Sequence, residues 1–420
     1  MPFLSSDSAG AEEYSFDVGE FEKKKIDWGG YLELKWEHSD LNQDSSSYYL
    51  KYYHSPRSTL DRYSSTLQLD GNYSHGRASL NWRAQAIARR DDIGWYDSAD
   101  IFEAFASFKP SVQTTLDIGK RVYKWGKGYA WNPAAFIDRL KDPNNPEEAL
   151  EGFVGADIDL IRSFEGPLRT AALTGVVLPV WQGVNEDFGH QDNINLAVKL
   201  YLLYRDTDLD FMFFTGDSRS IRYGFSFARN LATNFEMHGE IAHVPEQGRK
   251  TLEADGSVVT RTVSDTSYLL GLRYLTESDV TTIVEYYRNG DGYAKEELQR
   301  YMQAAADGYA QYLLSGSDLL LQEAARLNEG AYGRPYPGRE YCYARISVKE
   351  PFDILYITPS LTAIVNLEDQ STSLSPEILY TGITNLEMRL KFYWLSGDHL
   401  TEYGEKTNEN RVELRLRWFF

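Results

Sequence analysis

His238 stands between Glu236 and Glu240, and in an extended chain all three side chains leave one face. An imidazole flanked by two carboxylates could bind a metal or serve acid–base work. A hydrogen-bonded histidine facing a polar interior satisfies the same pattern and is the reading adopted. The 7 His are otherwise scattered, and neither H-E-x-x-H nor a G-x-S-x-G elbow occurs. The single Cys342 removes disulfide frameworks, Cys-rich zinc sites and a C-x-x-C-H haem attachment. A lipase working at a lipid interface would need an outward Ser and His pair, and alternation supplies none. The chain is therefore expected to carry no catalytic residue, no metal and no cofactor.

The richer chemistry is a set of charges that alternate with apolar residues. Arg77, Arg83, Arg121, Lys199, Arg222, Arg273, Arg345, Arg389, Lys391 and Arg415 are opposed by Glu103, Asp117, Asp157, Asp159, Glu236, Glu240, Glu285, Glu377, Glu387 and Glu413. If they face one interior, opposed ladders of this kind set up a transverse field that passes hydrophilic solutes and stiffens the wall. An exporter of polyanions should show a clear excess of Arg and Lys, and here the signs nearly balance. A wet interior needs polar residues in any case, so a selective role falls to a minority of them. Acids between strands, such as Glu147, Glu148, Glu151, Glu186 and Asp187, could hold divalent cations that bridge lipopolysaccharide, although solvated loop charge is their ordinary meaning.

The elements that position these charges follow from composition and periodicity. The 420 residues carry 43 Lys plus Arg against 62 Asp plus Glu, a net charge of −19 that disfavours nucleic acid as a partner. With 42% hydrophobic and 14% aromatic residues the chain is too apolar to be disordered. No run approaches the roughly 18 uninterrupted apolar residues of a membrane-spanning helix. What recurs instead is strict alternation over segments of about ten residues. In the last one Val412, Leu414, Leu416, Trp418 and Phe420 share a face, with Arg411, Glu413, Arg415 and Arg417 on the other. Leu386 to Trp394, Ala78 to Ala86, Ile194 to Leu202 and Tyr268 to Tyr274 repeat the pattern, with aromatics gathered at strand ends as in an interfacial girdle.

Counting back from Phe420, connections alternate between tight turns, near 382–385, 350–353, 277–279, 231–234, 205–207, 164–167, 109–111 and 73–76, and longer polar loops, near 397–409, 369–372, 291–338, 245–264, 179–191, 125–152 and 91–98. The short link 216–220 is the exception on the long side. A soluble sandwich has no reason to sort loop lengths by side, whereas an outer-membrane barrel does. The count is about 18 strands, with 46–54 assigned to the first long loop to keep the number even. The expected fold is all-β: a transmembrane, antiparallel, up-and-down barrel over 28–420, preceded by a tail or short plug over 1–27. Residues 294–328, rich in Ala, Leu, Glu and Gln with Leu298, Met302, Ala305 and Tyr309 at helical spacing, predict two short helices broken near 315–317 inside loop 291–338. Met1 precedes what reads as a mature start without an apolar signal core, which implies a signal peptide already removed.

Two stretches carry a resemblance. The terminal Phe420, preceded by alternating Trp418, Leu416 and Leu414, is similar to the assembly signal of outer-membrane β-barrels. The run Arg121-x-x-x-Trp125-Gly126-x-Gly128-x-x-x-Asn132-Pro133, followed by Asp142-Pro143, resembles a segment of large porin-like barrels, the group that includes alginate-export-type proteins. The resemblance implies the Gram-negative outer membrane, lipid and lipopolysaccharide around the wall, and the barrel-assembly machinery as a partner. Segment 125–152 holds Gly, Asn, Pro and Asp at turn-forming positions. It either turns inward to narrow the pore or stays outside, packed on its own Tyr129, Trp131 and Phe136.

The function expected is a passive channel for small hydrophilic or charged solutes, narrowed by 125–152, by the helical insertion, or by both. Pore-lining candidates are Arg83, Asp117, Arg121, Asp157, Asp159, Lys199, Glu236, His238, Glu240, Arg273, Glu285, Arg345, Arg389, Glu413 and Arg415. The alternatives are a sheath around a multihaem cytochrome, which would fill the lumen permanently, and a polysaccharide exporter gated by a periplasmic partner. Oligomeric state is left open.

Overall fold

The computed structural model describes residues 25–148 and 150–420. The tail expected over 1–27 lies, as far as residue 24, outside the described residues, and Ile26 already belongs to the first strand. The strands are β1 Ile26–Leu41, β2 Thr59–His75, β3 Ala78–Asp91, β4 Trp95–Ser111, β5 Thr114–Arg121, β6 Phe153–Ser163, β7 Leu168–Val180, β8 Asn193–Tyr204 and β9 Thr207–Thr215. They continue as β10 Arg222–Ala232, β11 Phe235–Leu252, β12 Val258–Leu275, β13 Val280–Arg288, β14 Glu340–Val348, β15 Ile357–Asn366, β16 Thr372–Ile383, β17 Leu386–Ser396 and β18 Asn408–Phe419. All eighteen form one antiparallel sheet in sequence order, and β1 closes it by pairing with both β2 and β18. Closure leaves no sheet edge, so every strand is hydrogen-bonded on both sides.

The wall is inverted relative to a water-soluble protein. Outward Leu34, Leu390, Trp394 and Trp418 are 52%, 48%, 52% and 60% exposed, while inward Lys391, Glu413 and Arg415 are 1%, 1% and 3% exposed. Such a surface suits hydrocarbon outside and a polar interior. Trp28 and Phe420 crowd one rim, their ring centroids 6.3 Å apart. Phe420 also exchanges backbone hydrogen bonds with Gly30, at 3.1 and 3.2 Å, across the closing seam. Replacing Phe420 by serine should lower the yield of folded barrel, read as the heat-modifiable band on cold gels, without altering the conductance of the molecules that do fold.

One end of the barrel carries the tight turns and the other the long loops. Four connections differ from the expected boundaries, one being the tight turn expected at 350–353, which is an eight-residue connection, 349–356, between β14 and β15. The span 245–264 is mostly strand: a bulge between Val244 and Gln247 lets β11 and β12 run on to Leu252 and Val258, leaving a five-residue turn. Extended polar strands projecting beyond the apolar band look like loop when alternation is the only guide. β4 likewise begins at Trp95, inside the expected loop 91–98, and the turn placed at 109–111 falls between Ser111 and Thr114. Arg77 lies in a tight turn, donating to Pro110 O at 2.7 Å, and is not on the inner wall.

The stretch 46–54 is loop, as the even count required, but it contains a helix, α1 Ser46–Tyr52, capped by Ser45. The insertion forms α2 Lys295–Ser315 and α3 Leu319–Leu327, separated at Gly316 in the left-handed region, φ 71°. Glu297 reaches back to Ala294 N at 2.8 Å to close the first turn of α2. Tyr293, Leu298, Tyr301, Met302 and Tyr332 pack on Leu252 at the end of β11. From there α2 reaches α1, where Tyr49 and Tyr309 stack at 4.3 Å and Tyr53 donates to Asp318 at 3.1 Å. Since β11 is eight strands from β1 in the ring, this helical bridge spans the loop end from one side to the other.

Candidate functional site

The connection between β5 and β6, residues 122–152, is the inner loop. Its partners lie on β4, β11, β13, β16, β17 and β18, which a single segment can reach only through the lumen. Tyr123 and Trp125 meet edge to face at its start, and the aromatics further along pack on the wall. Trp131 lies among Tyr287, Tyr341 and Tyr343, and Phe136 joins Val176, Leu178 and Phe214.

Three carboxylates hold this loop by its backbone. Asp138, within the loop, accepts from Tyr123, Lys124 and Trp125 N–H at 2.9, 3.0 and 2.7 Å, folding the entry strand back on itself. Burial pushes the Asp138 carboxyl above its ordinary pKa, while those three donors pull it down. Glu240 on β11 accepts from Lys127 N–H, from Gly128 N–H at 2.7 Å and from Ala134 N–H at 3.1 Å. Glu285 on β13 accepts from Tyr129 and Ala130 N–H at 2.6 and 2.9 Å. These donors belong to irregular backbone with no ladder to join, so the wall satisfies them. His238 is fully buried beside this cage, Nε2 lying 2.8 Å from Glu285 Oε1 and Nδ1 3.4 Å from Glu236.

The Trp125-Gly126-x-Gly128 motif makes the fold of the loop feasible. Gly126 takes φ 94°, a region that L side chains rarely adopt. A Cβ on Gly128 would sit 2.0 Å from Trp131 O, which is backbone and cannot swing away. Gly128→Ala should therefore cost the loop roughly 1–3 kcal/mol of local stability. The expected readout is faster tryptic cleavage at Lys124, Lys127 and Arg139 in an otherwise folded barrel. Asn132 donates to Trp125 O at 3.2 Å, Pro133 joins it to Ala134, and Asp142 caps a turn by accepting from Asn144 N–H at 2.9 Å across Pro143. Lys141 donates to Gly128 O at 2.9 Å, and burial lowers the pKa of its ammonium.

The far limb of the loop faces a basic wall. Lys391 donates to Asn144 O and, at 3.2 Å, to Asn145 Oδ1. Glu147 and Glu148 then sit 3.9 and 3.8 Å from Arg389 and Arg415, pairs too long to be tight. Between this tip and strands β18, β1, β2 and β3 lies a cavity of about 500 Å³, bounded by Tyr31, Gln68, Arg83, Trp125, Glu148 and Arg417. A second, of about 220 Å³, shares Tyr31, Glu148 and Arg417 with it and runs up past Lys35, Arg62 and Arg89. The passage thus runs off-centre, with carboxylates on the loop side and guanidinium groups on the wall.

The other expected pore residues are placed as follows. Arg83 pairs with Asp70 at 2.7 Å and Glu103 at 3.0 Å. Arg121 pairs with Asp117 and, at 3.0 Å, with Asp157. Asp117, Asp157 and Asp159 are the one grouping with metal-ligand spacing among the described residues, and Arg121 already occupies two of its carboxylates. Lys199 lies over the Trp125 ring at 5.4 Å, and Arg273 donates to Tyr129 Oη at 3.4 Å. Arg345 and Arg389 share Glu377 at 3.8 and 3.6 Å, and Glu413 pairs with Arg415 at 2.8 Å. Alternation missed Asp138, which lies in the loop, and Tyr31 and Gln68, which carry no charge to flag them.

A closed barrel with an apolar belt, a charged lumen and a loop folded inside it has the architecture of porin-like outer-membrane proteins. No protein-family model matches the chain, and no curated protein matches it in sequence. Solved structures match over nearly its whole length. Pseudomonas aeruginosa OpdQ is 13% identical, with 95% of this chain and 99% of that one covered at a TM-score of 0.54. OccK7 (OpdD) from the same organism is 12% identical, with 94% and 98% covered at 0.54. The outer membrane protein OprD of that organism is 10% identical, with 94% and 93% covered at 0.50. The likeness is one of fold.

Proposed function

We propose that the chain is an outer-membrane channel for passive diffusion of small hydrophilic or charged solutes. The observation that carries this reading is the inner loop, which leaves an off-centre passage with Glu147 and Glu148 on the loop side and Arg83 and Arg417 on the wall. Fixed charges of opposite sign across a narrow gap orient dipolar solutes and replace part of their hydration, the ordinary physics of a selective pore. The same loop weighs against a sheath around a cytochrome, because the lumen already holds a buried segment of its own chain. Paired carboxylates on nearly every lumenal arginine weigh against an exporter of polyanions.

The test is single-channel recording of purified, refolded protein in a planar bilayer, with the reversal potential measured under a salt gradient. Stable steps of weak selectivity are expected. Silence from protein that is demonstrably folded would overturn the reading.

A further inference from the structure

Above the inner loop, on the flank opposite the passage, lies a separate cavity of about 540 Å³ at the loop end of β10 to β13. Its walls include the aromatic rings of Trp131, Phe136, Tyr287 and Tyr336 and several charged groups. Most of those charges are already used. Arg139 pairs with Asp187, Arg334 pairs with Asp291, Asp138 is filled by backbone N–H groups, and Arg219 donates to Phe136 O at 3.2 Å and to Phe188 O. Two are left. Among the described residues the Arg222 side chain makes no ion pair or hydrogen bond, and its Nε is shielded from solvent. Asp265 is only 7% exposed, and its Oδ2 has no hydrogen-bonding partner.

These two groups stand at one level of the wall. Tyr223 faces His243, so Arg222 on β10 comes opposite Val244 on β11, and Val244 faces Asp265 on β12. The backbones of Arg222 and Asp265 are therefore two strand spacings apart, about 10 Å. A half-buried cation and a buried anion, neither with a direct side-chain partner, are each costly, and the cost is relieved together by one ligand carrying both complementary charges.

We infer that this cavity is a binding site for a small zwitterion whose carboxylate meets Arg222 and whose ammonium meets Asp265, with an aliphatic or aromatic spacer against the ring-lined wall. The two-strand separation favours charges held several ångströms apart, as in an ω-amino acid, over charges on one carbon. The site rests on the channel reading only for its role as a capture point ahead of the narrow passage, and binding itself does not require conduction.

The experiment uses the full-length barrel in detergent and isothermal titration with 5-aminopentanoate, pentanoate and pentylammonium. The zwitterion is expected to bind at least tenfold more tightly than either singly charged analogue. Arg222→Gln and Asp265→Asn should each reduce its affinity to the level of the analogue that lacks the corresponding charge, while Arg222→Lys and Asp265→Glu retain part of it. Equal affinity for all three probes in the unmodified protein would overturn the proposal without relying on any variant. So would unchanged zwitterion binding by both neutralised variants, with folding checked by heat-modifiability. Binding that persists in a protein silent in bilayers would refute the channel and leave the site standing. Steady conduction with no preference among the probes would refute the site alone.

Discussion

Replacing Glu240 and Glu285 together by alanine is expected to raise single-channel conductance severalfold and to turn quiet openings into flickering ones. Between them these two carboxylates hold five backbone N–H groups of the inner loop. Removing an acceptor from a buried donor costs on the order of 1–3 kcal/mol, so the loop loses several times the energy of thermal motion. The barrel itself should survive, because its strands are paired around the ring independently of the loop. Glutamine is an informative intermediate. Its carbonyl can still serve Lys127 and Gly128, but its amide then points donors at Ala134 N–H. Recording both pairs of variants in planar bilayers, beside limited trypsin digestion, separates a loosened loop from a misfolded protein. A doubly substituted channel with unaltered conductance and protease resistance would show that the lumenal carboxylates do not hold the constriction.

The second large effect is on selectivity. Glu147→Lys with Glu148→Lys places cations on the loop side of a passage whose wall already carries Arg83 and Arg417, so its charge becomes positive on both sides. The reversal potential under a salt gradient should move strongly towards anion selectivity, with a severalfold change in the anion-to-cation permeability ratio, and the effect should shrink as ionic strength rises. Because the Glu147 and Glu148 side chains are 74% and 50% exposed and their ion pairs are long, folding yield should barely change. A reversal potential that ignores both charges would place the permeation path elsewhere.

The barrel was legible because its physics is repetitive. Each strand from β14 to β18 must present apolar residues to hydrocarbon and charged ones to the lumen, so alternation through Leu414, Leu416 and Trp418 betrays both faces at once. Loop sorting added the even strand number. Legibility failed where membrane no longer constrains the chain: β11 and β12 continue as strands beyond the apolar band, and α1 follows from the packing of Tyr48 and Tyr52 in a loop too short to show a helical period. In the lumen, alternation told which side chains point inward but not what they meet. It gathered Glu240, His238 and Glu285 without indicating that Glu240 and Glu285 serve backbone donors of a distant segment. That assignment requires knowing where residues 127–134 go, and only tertiary structure says so. Asp138 escaped for the same reason, since the partners it needs are created by the turn it stabilises.

The helical bridge lands on the loops that join β1 to β2 and β17 to β18, directly above the wall along which the passage descends. A molecule arriving from the loop end therefore finds the straight route roofed over. It must enter on an uncovered flank, travel sideways between the bridge and the inner loop, and only then turn down towards the far end. Two offset baffles in series discriminate by shape in a manner that charge cannot. A compact or hinged solute can negotiate the bend, whereas a stiff rod of equal cross-section jams once its length exceeds the gap between the baffles. Permeation rates in a homologous series of rigid and flexible solutes should thus diverge with length, and a flexible polymer would have to thread rather than slide.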